Sequence, residues 1–239
     1  MRAPSAPVNQ AVLSADFKAL FPDGVAAAEL RGQGDASLLL PVESAGLGNA
    51  VRTRVQEFAG GRSCARLALA KFGFHDFPLA VRGDRQPAWP PSVVGSITHT
   101  AGLCAAVVGE AARFAGLGLD CEVVGDVEPE LWPKICVPRE TAWLRSLPPH
   151  EQARASALIF AAKEAFYKCQ YLLTREWIEF GEVTVVIRGS LSLSGEFEIR
   201  PARALLIERQ IQTPLWGRYR IHSPFITAVM AAPAIEPNG

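Results

Sequence analysis

Long apolar stretches are missing from this sequence. No uninterrupted apolar run approaches the about 18 residues of a membrane-spanning helix, and the opening residues, MRAPSAPVNQ, lack the apolar core of a signal peptide. Net charge is missing as well, because 24 basic side chains balance 24 acidic ones. A chain without an overall field does not attract nucleic acid or an anionic membrane through its charge. We therefore predict a cytoplasmic protein that binds neither nucleic acid nor membranes.

Paired cysteines are also absent. The 5 cysteines are odd in number and scattered, and no two of them form a C-x-x-C motif. This pattern is typical of unpaired thiols in a reducing compartment and argues against a disulfide framework or a zinc site. The cysteines are Cys64, Cys104, Cys121, Cys136 and Cys169.

The sequence does contain enough apolar residues for a large core. Of 239 residues, 49% are hydrophobic and 20% are charged, which suits one large domain or two small ones. Periodicity predicts helices near 51–72, interrupted at the glycine pair 60–61, and near 150–172. It predicts strands at GSITHT, LCAAVVG, FAGLGLDCEVV, VTVVI, GEFEIR and GRYRIHSPFITAVMAA. We expect a turn-rich segment at VRGDRQPAWPPSVVG, a loose leader at 1–10 and a frayed tail at 231–239.

The two halves of the chain resemble each other. His99-Thr100 is followed by a small and apolar run, and His222-Ser223 is followed by PFITAVM about half a chain later. Each half also has a predicted helix before its strands. We therefore predict an α+β fold of two pseudo-symmetric α/β subdomains, 1–112 and 113–239, with the functional site in the cleft between them.

Two acidic residues end the predicted strand in FAGLGLDCEVVGD. Side chains at i and i+2 of a strand share one face, so Asp120 and Glu122 are expected together, with Cys121 on the other face. Like charges at this spacing repel each other unless they protrude into water or a cation lies between them. The motif alone therefore fits either a solvated strand end or a metal site.

A third acid lies on the second predicted helix. Glu164 and Lys168 are spaced i, i+4 and share a face, with Lys163 about 100° away. In isolation this is a surface ion pair, but the neighbouring residues make the helix apolar almost all round, and a buried charge needs a partner. Because Mg²⁺ prefers a few carboxylates together with substrate phosphate, Asp120, Glu122 and Glu164 predict a magnesium site.

Basic residues in the first half indicate a phosphate site. Arg62 and Arg66 share a helix face after a glycine pair, and Arg82 and Arg85 lie in the turn before Trp89. Guanidinium geometry suits a phosphate. The alternative is that the helix arginines extend along a solvated face.

A histidine surrounded by hydroxyl side chains is a further candidate for phosphate binding. Ser96, Thr98 and Thr100 surround His99, and together they are suited to hold a phosphate oxygen. The alternative is a core histidine, which is the commoner role in a strand. We interpret His222 as structural, because no acidic pair follows it.

Four motifs, in this order and at these distances, resemble the 4′-phosphopantetheinyl transferases, and among them the type that primes siderophore, polyketide and nonribosomal peptide synthases. The motifs are GR-x-x-x-R-x-A-L, P-x-W-P…G-S-x-T-H, G-x-D-x-E and A-K-E-A-x-Y-K, from about Arg54 to Lys168. The resemblance implies a monomeric enzyme of two α/β halves that uses Mg²⁺, or Mn²⁺. It also implies transfer of phosphopantetheine from coenzyme A to a serine of an apo carrier protein, with release of 3′,5′-ADP.

The resemblance further implies roles for single residues of the second half. Asp120, Glu122 and Glu164 match the family's magnesium ligands, and Lys163 and Lys168 match lysines that face the pyrophosphate. The catalytic candidates are therefore Glu164, Lys168 and Lys163, with Glu164 or bound water accepting the serine proton.

The first half would bind coenzyme A. Arg62 and Arg66 match positions that grip its 3′-phosphate, and Thr98 and His99 match a pair that contacts the same end of the cofactor. These roles, too, rest on the resemblance.

Two further positions matter in the comparison with the family. Gln86 stands where part of the family has a lysine before a proline, so Arg82 or Arg85 is expected to compensate. Glu140, in VPRETAWL, is a second candidate for the general base.

Other functions fit the same residues. A Mg²⁺-dependent phosphodiesterase or phosphatase would use the acids with water as nucleophile, and a non-catalytic coenzyme A-binding module would not need them. A purely structural domain would leave the three acids unexplained. The segment VPRETAWLRSLPPHE, with Trp143 between Arg139 and Arg145, is either a docking surface for the carrier protein or a helix packed on its own core.

Overall fold

A computed structural model describes residues 10–45, 47–201 and 215–234. The described chain divides into two compact units. The first unit consists of the chain up to Lys18 together with Gly24–Glu110, and the second of Ala19–Asp23 together with the chain from Ala111 onwards. Apart from Gln10, the leader predicted at 1–10 lies outside the described residues.

The first unit is an antiparallel sheet crossed by one long helix. Its strands, in the spatial order β1-β2-β4-β3, are β1 (Val12–Leu13), β2 (Val25–Arg31), β3 (Val93–Thr100) and β4 (Leu103–Glu110). Its helices are α1 (Ala15–Lys18), α2 (Pro41–Ser44) and α3 (Arg52–Leu69), the last continued by a 3-10 turn at Ala70–Phe72. Helix α3 packs across β2, β4 and β3.

Helix α3 runs without a break through its glycine pair, so the predicted interruption is wrong. A Cβ on Gly60 would lie 2.6 Å from Sγ of Cys104 on β4, and one on Gly61 would lie 2.8 Å from Cγ2 of Ile97 on β3. Glycine inside a helix costs about 1 kcal/mol relative to alanine. Here it allows the helix to approach the sheet closely, which a larger residue would prevent.

The second unit is a five-stranded antiparallel sheet with the longest helix of the described chain. In the spatial order β5-β9-β8-β7-β6, its strands are β5 (Phe114–Val123), β6 (Val183–Gly189), β7 (Ser194–Pro201), β8 (Leu215–His222) and β9 (Phe225–Pro233). Its helices are α4 (Trp132–Ile135), α5 (Pro138–Ser146) and α6 (Pro149–Thr174), followed by a 3-10 helix at Phe180–Glu182. The predicted α+β fold class is confirmed by the two sheets and their helices.

Strand β9 includes residues that the sequence placed in a frayed tail. Ala231 and Ala232, which also ended the predicted strand run GRYRIHSPFITAVMAA, pair with β5, as does Pro233, so the strand prediction holds for the two alanines and the tail prediction is wrong for all three. The pairing partner lies more than 100 residues earlier, and a local pattern does not contain this information. The remainder of the predicted tail, beyond residue 234, lies outside the described residues.

Helix α6 packs on β5 and β9 and begins and ends at recognisable signals. Pro149 occupies its first turn, where a missing N–H costs no hydrogen bond, and Arg175 closes it in the left-handed conformation, with φ of 57°. The core beneath it includes Phe166, Phe197 and Tyr219, each at most 1% exposed. Full burial of a phenylalanine side chain contributes about 1.5–3 kcal/mol, so these contacts stabilise the helix on the sheet.

The sequence lacks paired cysteines and long apolar runs, and the described residues can be compared with both observations. All five cysteines are buried and take part in no disulfide, as predicted. Among the described residues, no helix is both long and apolar enough to cross a membrane.

Candidate active site

The acid pair lies on the face of β5 that meets α6. Gly116 and Gly118 share this face, and a Cβ on Gly118 would overlap the carbonyl oxygen of Ala165. Asp120 and Glu122 continue the same face, because alternate strand residues point the same way. The glycines therefore bring the α6 backbone against β5 next to the acids.

Lys168 joins the helix to the strand. Its Nζ lies 2.5 Å from Oδ1 of Asp120 and donates a second hydrogen bond, of 3.2 Å, to the carbonyl oxygen of Leu119. Asp120 is 4% exposed, whereas the Lys168 side chain is 26% exposed. A charge-assisted bond in this partly buried position is stronger than a surface ion pair.

The electrostatics of this cluster favour a further positive charge. Burial, followed by the charge of Asp120 and a hydrogen bond with it, raises the pKa of Glu122 to about 8. Burial also raises the pKa of Glu164; the Lys168 charge opposes this rise and the Asp120 charge adds to it. For Lys168, burial lowers the pKa, but Asp120 and Glu164 outweigh burial and the net shift is upward. Lys168 thus stays protonated beside three carboxyl groups.

The donor chemistry of the cluster fits a hard divalent cation. Carboxylate oxygens are the ligands that Mg²⁺ and Mn²⁺ prefer. A cation would counteract both burial, the largest cause of the raised pKa values of Glu122 and Glu164, and the repulsion by Asp120 that adds to it. Asp120, Glu122 and Glu164 are the residues that would hold it. Within the described part of the chain, however, no three histidine, cysteine, aspartate or glutamate side chains are arranged as a formed metal site. Lys168 supplies the positive charge next to Asp120.

Lys163 has different partners from those predicted. Its Nζ donates to the carbonyl oxygens of Ile135 at 2.8 Å and Phe180 at 2.9 Å, and to Oε2 of Glu140 at 2.7 Å. The side chain is fully buried, and an ammonium group has only three N–H donors. The structure therefore does not support the prediction that Lys163 faces the pyrophosphate.

Glu140 is engaged in the same network. Its Oε2 also accepts the backbone N–H of Val137 at 2.8 Å, and its Oε1 accepts that of Val185 at 2.6 Å. Glu140 is 3% exposed, and both oxygens already bind donors of the protein. It is not placed to accept a proton from a substrate, so the structure gives no support to Glu140 as general base.

Arg62 lies in a buried position of the first unit. It is 5% exposed, its Nε donates to the carbonyl oxygen of Leu79 at 2.9 Å, and its guanidinium lies 4.2 Å from the ring centre of Phe58. Burial lowers its pKa to about 10, so Arg62 is still charged at neutral pH. A desolvated guanidinium of this kind binds an anion more strongly than a hydrated one does.

Arg66 is held by a partner inside the protein. Its Nη1 lies 2.6 Å from Oε2 of Glu43, and its Nη2 donates to the carbonyl oxygen of Leu38 at 2.8 Å. Glu43 is fully buried and also accepts the backbone N–H groups of Leu40 and Leu79. Arg66 therefore connects α3 to Glu43 on α2, and the structure does not support a phosphate contact for it.

Thr98 and His99 lie at the end of β3, and His99 meets the first turns of α3. Nε2 of His99 contacts Nη1 of Arg54, and its Nδ1 lies 3.5 Å from Oε2 of Glu57. Arg54 and Glu57 are themselves 3.7 Å apart. The sequence interpretation did not include these two residues. Arg54 lies eight residues before Arg62, about two helical turns, which was the available signal for Arg54. The spacing of Glu57 from Arg62 gave no such signal.

Arg82, Arg85 and Gln86 lie in a tight turn between Val81 and Pro87, which form an isolated β-bridge. The N–H of Arg82 donates to the carbonyl oxygen of Gln86 at 2.8 Å, and the N–H of Arg85 to that of Arg82 at 2.9 Å. The backbone of the turn is thus fixed, while both arginine side chains are exposed. Their contact with coenzyme A stays a prediction.

Two family models and three known proteins that resemble this chain are named after the same activity. Residues 42–109 match the 4′-phosphopantetheinyl transferase N-terminal domain, and residues 116–221 match the 4′-phosphopantetheinyl transferase superfamily. The chain is 34% identical to the 4′-phosphopantetheinyl transferase Npt of Nocardia iowensis over 225 residues, which is 90% of this chain and 99% of that protein. It is 38% identical to Svp of Streptomyces mobaraensis over 152 residues (63% and 62%). It is 33% identical to PptT of Mycobacterium tuberculosis over 181 residues (74% and 78%).

A lysine held among three carboxyl groups, two of them with raised pKa values, is a reactive arrangement typical of an enzyme. Because the two matched regions cover most of its length, the chain belongs to the 4′-phosphopantetheinyl transferase superfamily. The predicted family and enzyme class are therefore confirmed. This result disfavours the three alternatives: a Mg²⁺-dependent phosphodiesterase or phosphatase, a non-catalytic coenzyme A-binding module and a purely structural domain.

Proposed function

We propose that this chain transfers the 4′-phosphopantetheine group from coenzyme A to a serine of an apo carrier protein, with Mg²⁺ or Mn²⁺ as metal. The observation that carries the proposal is the contact of Lys168 with Asp120, in a cluster that includes Glu122 and Glu164. In this proposal the first subdomain, 1–112, binds coenzyme A. The second, 113–239, holds the metal and the reacting groups.

The reaction is attack of the serine oxygen on the β-phosphorus of the coenzyme A pyrophosphate. The bond from that phosphorus to the bridging oxygen breaks, and 3′,5′-ADP leaves. Phosphoryl transfer of this type depends on positioning and charge neutralisation more than on covalent catalysis. Glu164 accepts the serine proton, directly or through water, and its raised pKa suits this role. Lys168 stabilises the charge on the leaving phosphate or protonates it.

Asp120, Glu122 and Glu164 would hold the metal. When bound, the cation would offset the negative charge of the pyrophosphate oxygens. Because the Lys168 ammonium already lies against Asp120, the lysine and the acids are placed to act on the same phosphate groups. This juxtaposition supports a pyrophosphate rather than an uncharged substrate.

In this proposal the first unit binds the 3′-phosphate of coenzyme A. Arg62, Thr98 and His99 support binding of the 3′-phosphate of coenzyme A, and we add Arg54, which contacts His99. The exposed turn with Arg82, Arg85 and Gln86 is a further candidate contact, in which Arg82 or Arg85 takes over from the family's lysine. Arg66 is left out, because Glu43 holds it.

The proposed partners are carrier domains of fatty-acid, polyketide or nonribosomal peptide synthases, including those of siderophore pathways, and the enzyme is proposed to act as a monomer. Helix α5 has features of both roles considered for the segment VPRETAWLRSLPPHE, namely packing in the protein's own core and docking of a carrier protein. Leu144 is fully buried in the core, whereas Trp143 is 36% exposed and both Arg139 and Arg145 are exposed. An exposed aromatic ring with basic neighbours suits an acidic protein partner.

Intact-mass measurement tests the proposal. The pure protein is incubated with coenzyme A, Mg²⁺ and apo carrier proteins of the fatty-acid, polyketide and nonribosomal peptide types. We expect a gain of one phosphopantetheine group on at least one carrier and an equal amount of 3′,5′-ADP. Glu164→Gln should lose this activity, while Glu151→Gln, a matched change near the start of the same helix, should keep it. Cleavage of coenzyme A without any gain of mass on a carrier would contradict the proposal.

A further inference from the structure

We infer that the buried ion pair between Lys163 and Glu140 positions the reacting face of α6, so that both are positioning residues for the transfer reaction. The inference rests on the proposed function, because it concerns the placement of Glu164 and Lys168. Neither member of the pair is expected to touch the substrate. The pair acts by fixing the rotation of the helix.

Helix α6 needs such a device because apolar residues surround almost its whole circumference. Leu158, Ile159, Ala161, Ala162 and Phe166 are all buried. Apolar contact has no directional preference, so it holds a helix in place without specifying its rotation about the axis. Hydrogen bonds are directional and are able to specify it.

Lys163 supplies three directional bonds to three different segments. They reach Ile135 at the end of α4, Glu140 on α5 and Phe180 in the 3-10 helix, at distances of 2.7–2.9 Å. Glu140 in turn binds the N–H of Val137 before α5 and that of Val185 on β6. The pair therefore connects α6 to the segments that surround it away from β5.

The reacting groups lie close to this anchor along the chain. Glu164 follows Lys163 directly and is about 100° further round the helix, and Lys168 is about 140° from it. Since side chains extend about 5–6 Å from a helix axis, a rotation of about 10° would move a reacting group by roughly 1 Å. A displacement of that size at the reacting atoms costs about a hundredfold in rate. A fixed rotation of α6 is therefore a requirement of the reaction.

A purely structural role makes a different prediction. Replacing both members of a buried ion pair by neutral residues is often neutral for stability, whereas removing one member leaves a buried charge and is strongly destabilising. If the pair only stabilised the fold, a double neutral variant that regains stability would also regain activity. If the pair positions α6, stability returns and activity does not.

The test compares Lys163→Met, Glu140→Gln and the double variant Lys163→Met/Glu140→Gln in the full chain. In the double variant the glutamine introduced at position 140 still offers an amide oxygen to the N–H of Val137 or Val185. The control is Tyr219→Phe, which removes a part-buried hydrogen bond of 3.2 Å to the carbonyl oxygen of Ser190. This bond is separate from the hydrogen bonds described for Lys163 and Glu140. Three quantities are measured: the melting temperature, the affinity for Mn²⁺ from its electron paramagnetic resonance signal, with and without coenzyme A, and kcat with KM for coenzyme A.

We expect both single variants to melt well below the wild type and the double variant to recover most of that loss. The double variant should still bind Mn²⁺ and turn over about 10–100-fold less well, the usual range for residues that orient metal ligands. Its KM for coenzyme A should stay within about twofold of the wild type, because the residues proposed to bind the 3′-phosphate lie in the first unit, away from the changed pair in the sequence. Tyr219→Phe should lower the melting temperature and leave Mn²⁺ affinity and kcat unchanged.

A double variant with wild-type Mn²⁺ affinity and wild-type kcat would overturn the inference. If the double variant does not fold, Lys163→Met alone decides at temperatures below its melting transition, since methionine makes none of the three hydrogen bonds of Lys163; wild-type values of both quantities would then overturn the inference. A wild-type protein that binds Mn²⁺ but modifies no carrier would count against the proposed function and not against this inference.

Discussion

Nζ of Lys168 lies 2.5 Å from Oδ1 of Asp120, which connects the C-terminal half of α6 to the end of β5. This contact places an ammonium group on one of the three acids that would bind the metal. Lys168 therefore has two effects: it offsets the negative charge of the acids, and it offers positive charge to a phosphate group. Removing the charge should change ion binding and reaction rate in opposite directions.

Lys168→Met is expected to lower kcat by about 10²–10³-fold, in the range found for removal of a group that stabilises transition-state charge. The same change should increase the affinity for Mn²⁺ in the absence of coenzyme A, because the acids then keep their full negative potential. Calorimetric titration with Mn²⁺ and the carrier-mass assay measure the two effects. Lys134→Met, at an exposed lysine of α4, is the matched control. Unchanged kcat in Lys168→Met would remove this lysine from the mechanism.

Asp120→Asn should abolish transfer, with a loss of at least about 10³-fold, while the protein remains folded. The amide keeps the size of the side chain but removes the charge on which both Lys168 and a cation depend. Circular dichroism and the carrier-mass assay check fold and activity. Asp126→Asn, at an exposed position just after β5, should behave as the wild type. Full activity of Asp120→Asn at saturating Mg²⁺ would mean that the acid pair is not part of the site.

Arg62→Gln is expected to raise KM for coenzyme A by about 10–100-fold with little change in kcat, because a hydrogen bond to a charged group contributes about 1.5–3 kcal/mol. The effect should vanish with 3′-dephospho-coenzyme A, which lacks the phosphate that Arg62 is proposed to bind. Steady-state kinetics with both substrates gives the comparison. An equal rise in KM for the two substrates would show that Arg62 acts on the fold instead.

Arg66→Gln should behave differently from Arg62→Gln. Breaking a buried ion pair costs about 3–5 kcal/mol, and Arg66 is the charged partner of the fully buried Glu43. The actual loss of stability should be smaller than this, because the Arg66 side chain is 14% exposed and solvent screens part of the interaction. We expect a lower free energy of unfolding in urea and an unchanged KM for coenzyme A at temperatures where the variant is folded. A raised KM in a stable variant would restore Arg66 to the cofactor site.

Gly118→Ala is expected to destabilise the protein by about 1–3 kcal/mol or to prevent folding, because the new methyl group would overlap the carbonyl oxygen of Ala165. Gly181→Ala is the matched control, since a Cβ at that position meets no atom within 4 Å. Denaturant unfolding of both variants measures the difference. Equal stability of the two variants would show that β5 and α6 are not in close contact.

The arrangement of the acids could be predicted because it follows from local periodicity. Asp120 and Glu122 are two residues apart on a strand, and Glu164 and Lys168 are four apart on a helix, so each pair shares a face. The apolar surroundings of the helix further indicated that its charged residues needed partners. The spacing of residues does not show that the two pairs lie close together. That expectation came from the need of buried charged groups for a partner.

Lys163 and Arg66 could not be assigned correctly in the same way. Lys163 and Lys168 are both lysines of one helix, and only the position of α5 decides that Lys163 meets Glu140, which lies 23 residues earlier in the chain. Arg66 likewise pairs with Glu43 across 23 residues. A sequence motif records residue type and spacing, but it does not record which neighbour a long side chain reaches after folding.

The close approach of Gly116 and Gly118 to α6 has a consequence for how the site tolerates change elsewhere. Where two backbones touch without side chains between them, their separation is set by the peptide groups themselves and not by the volume of packed residues. Substitutions that enlarge or shrink core residues elsewhere in the second unit would then alter stability while the strand and the helix keep their spacing. The enzyme could accumulate many neutral exchanges in its interior without disturbing the distance on which its chemistry depends.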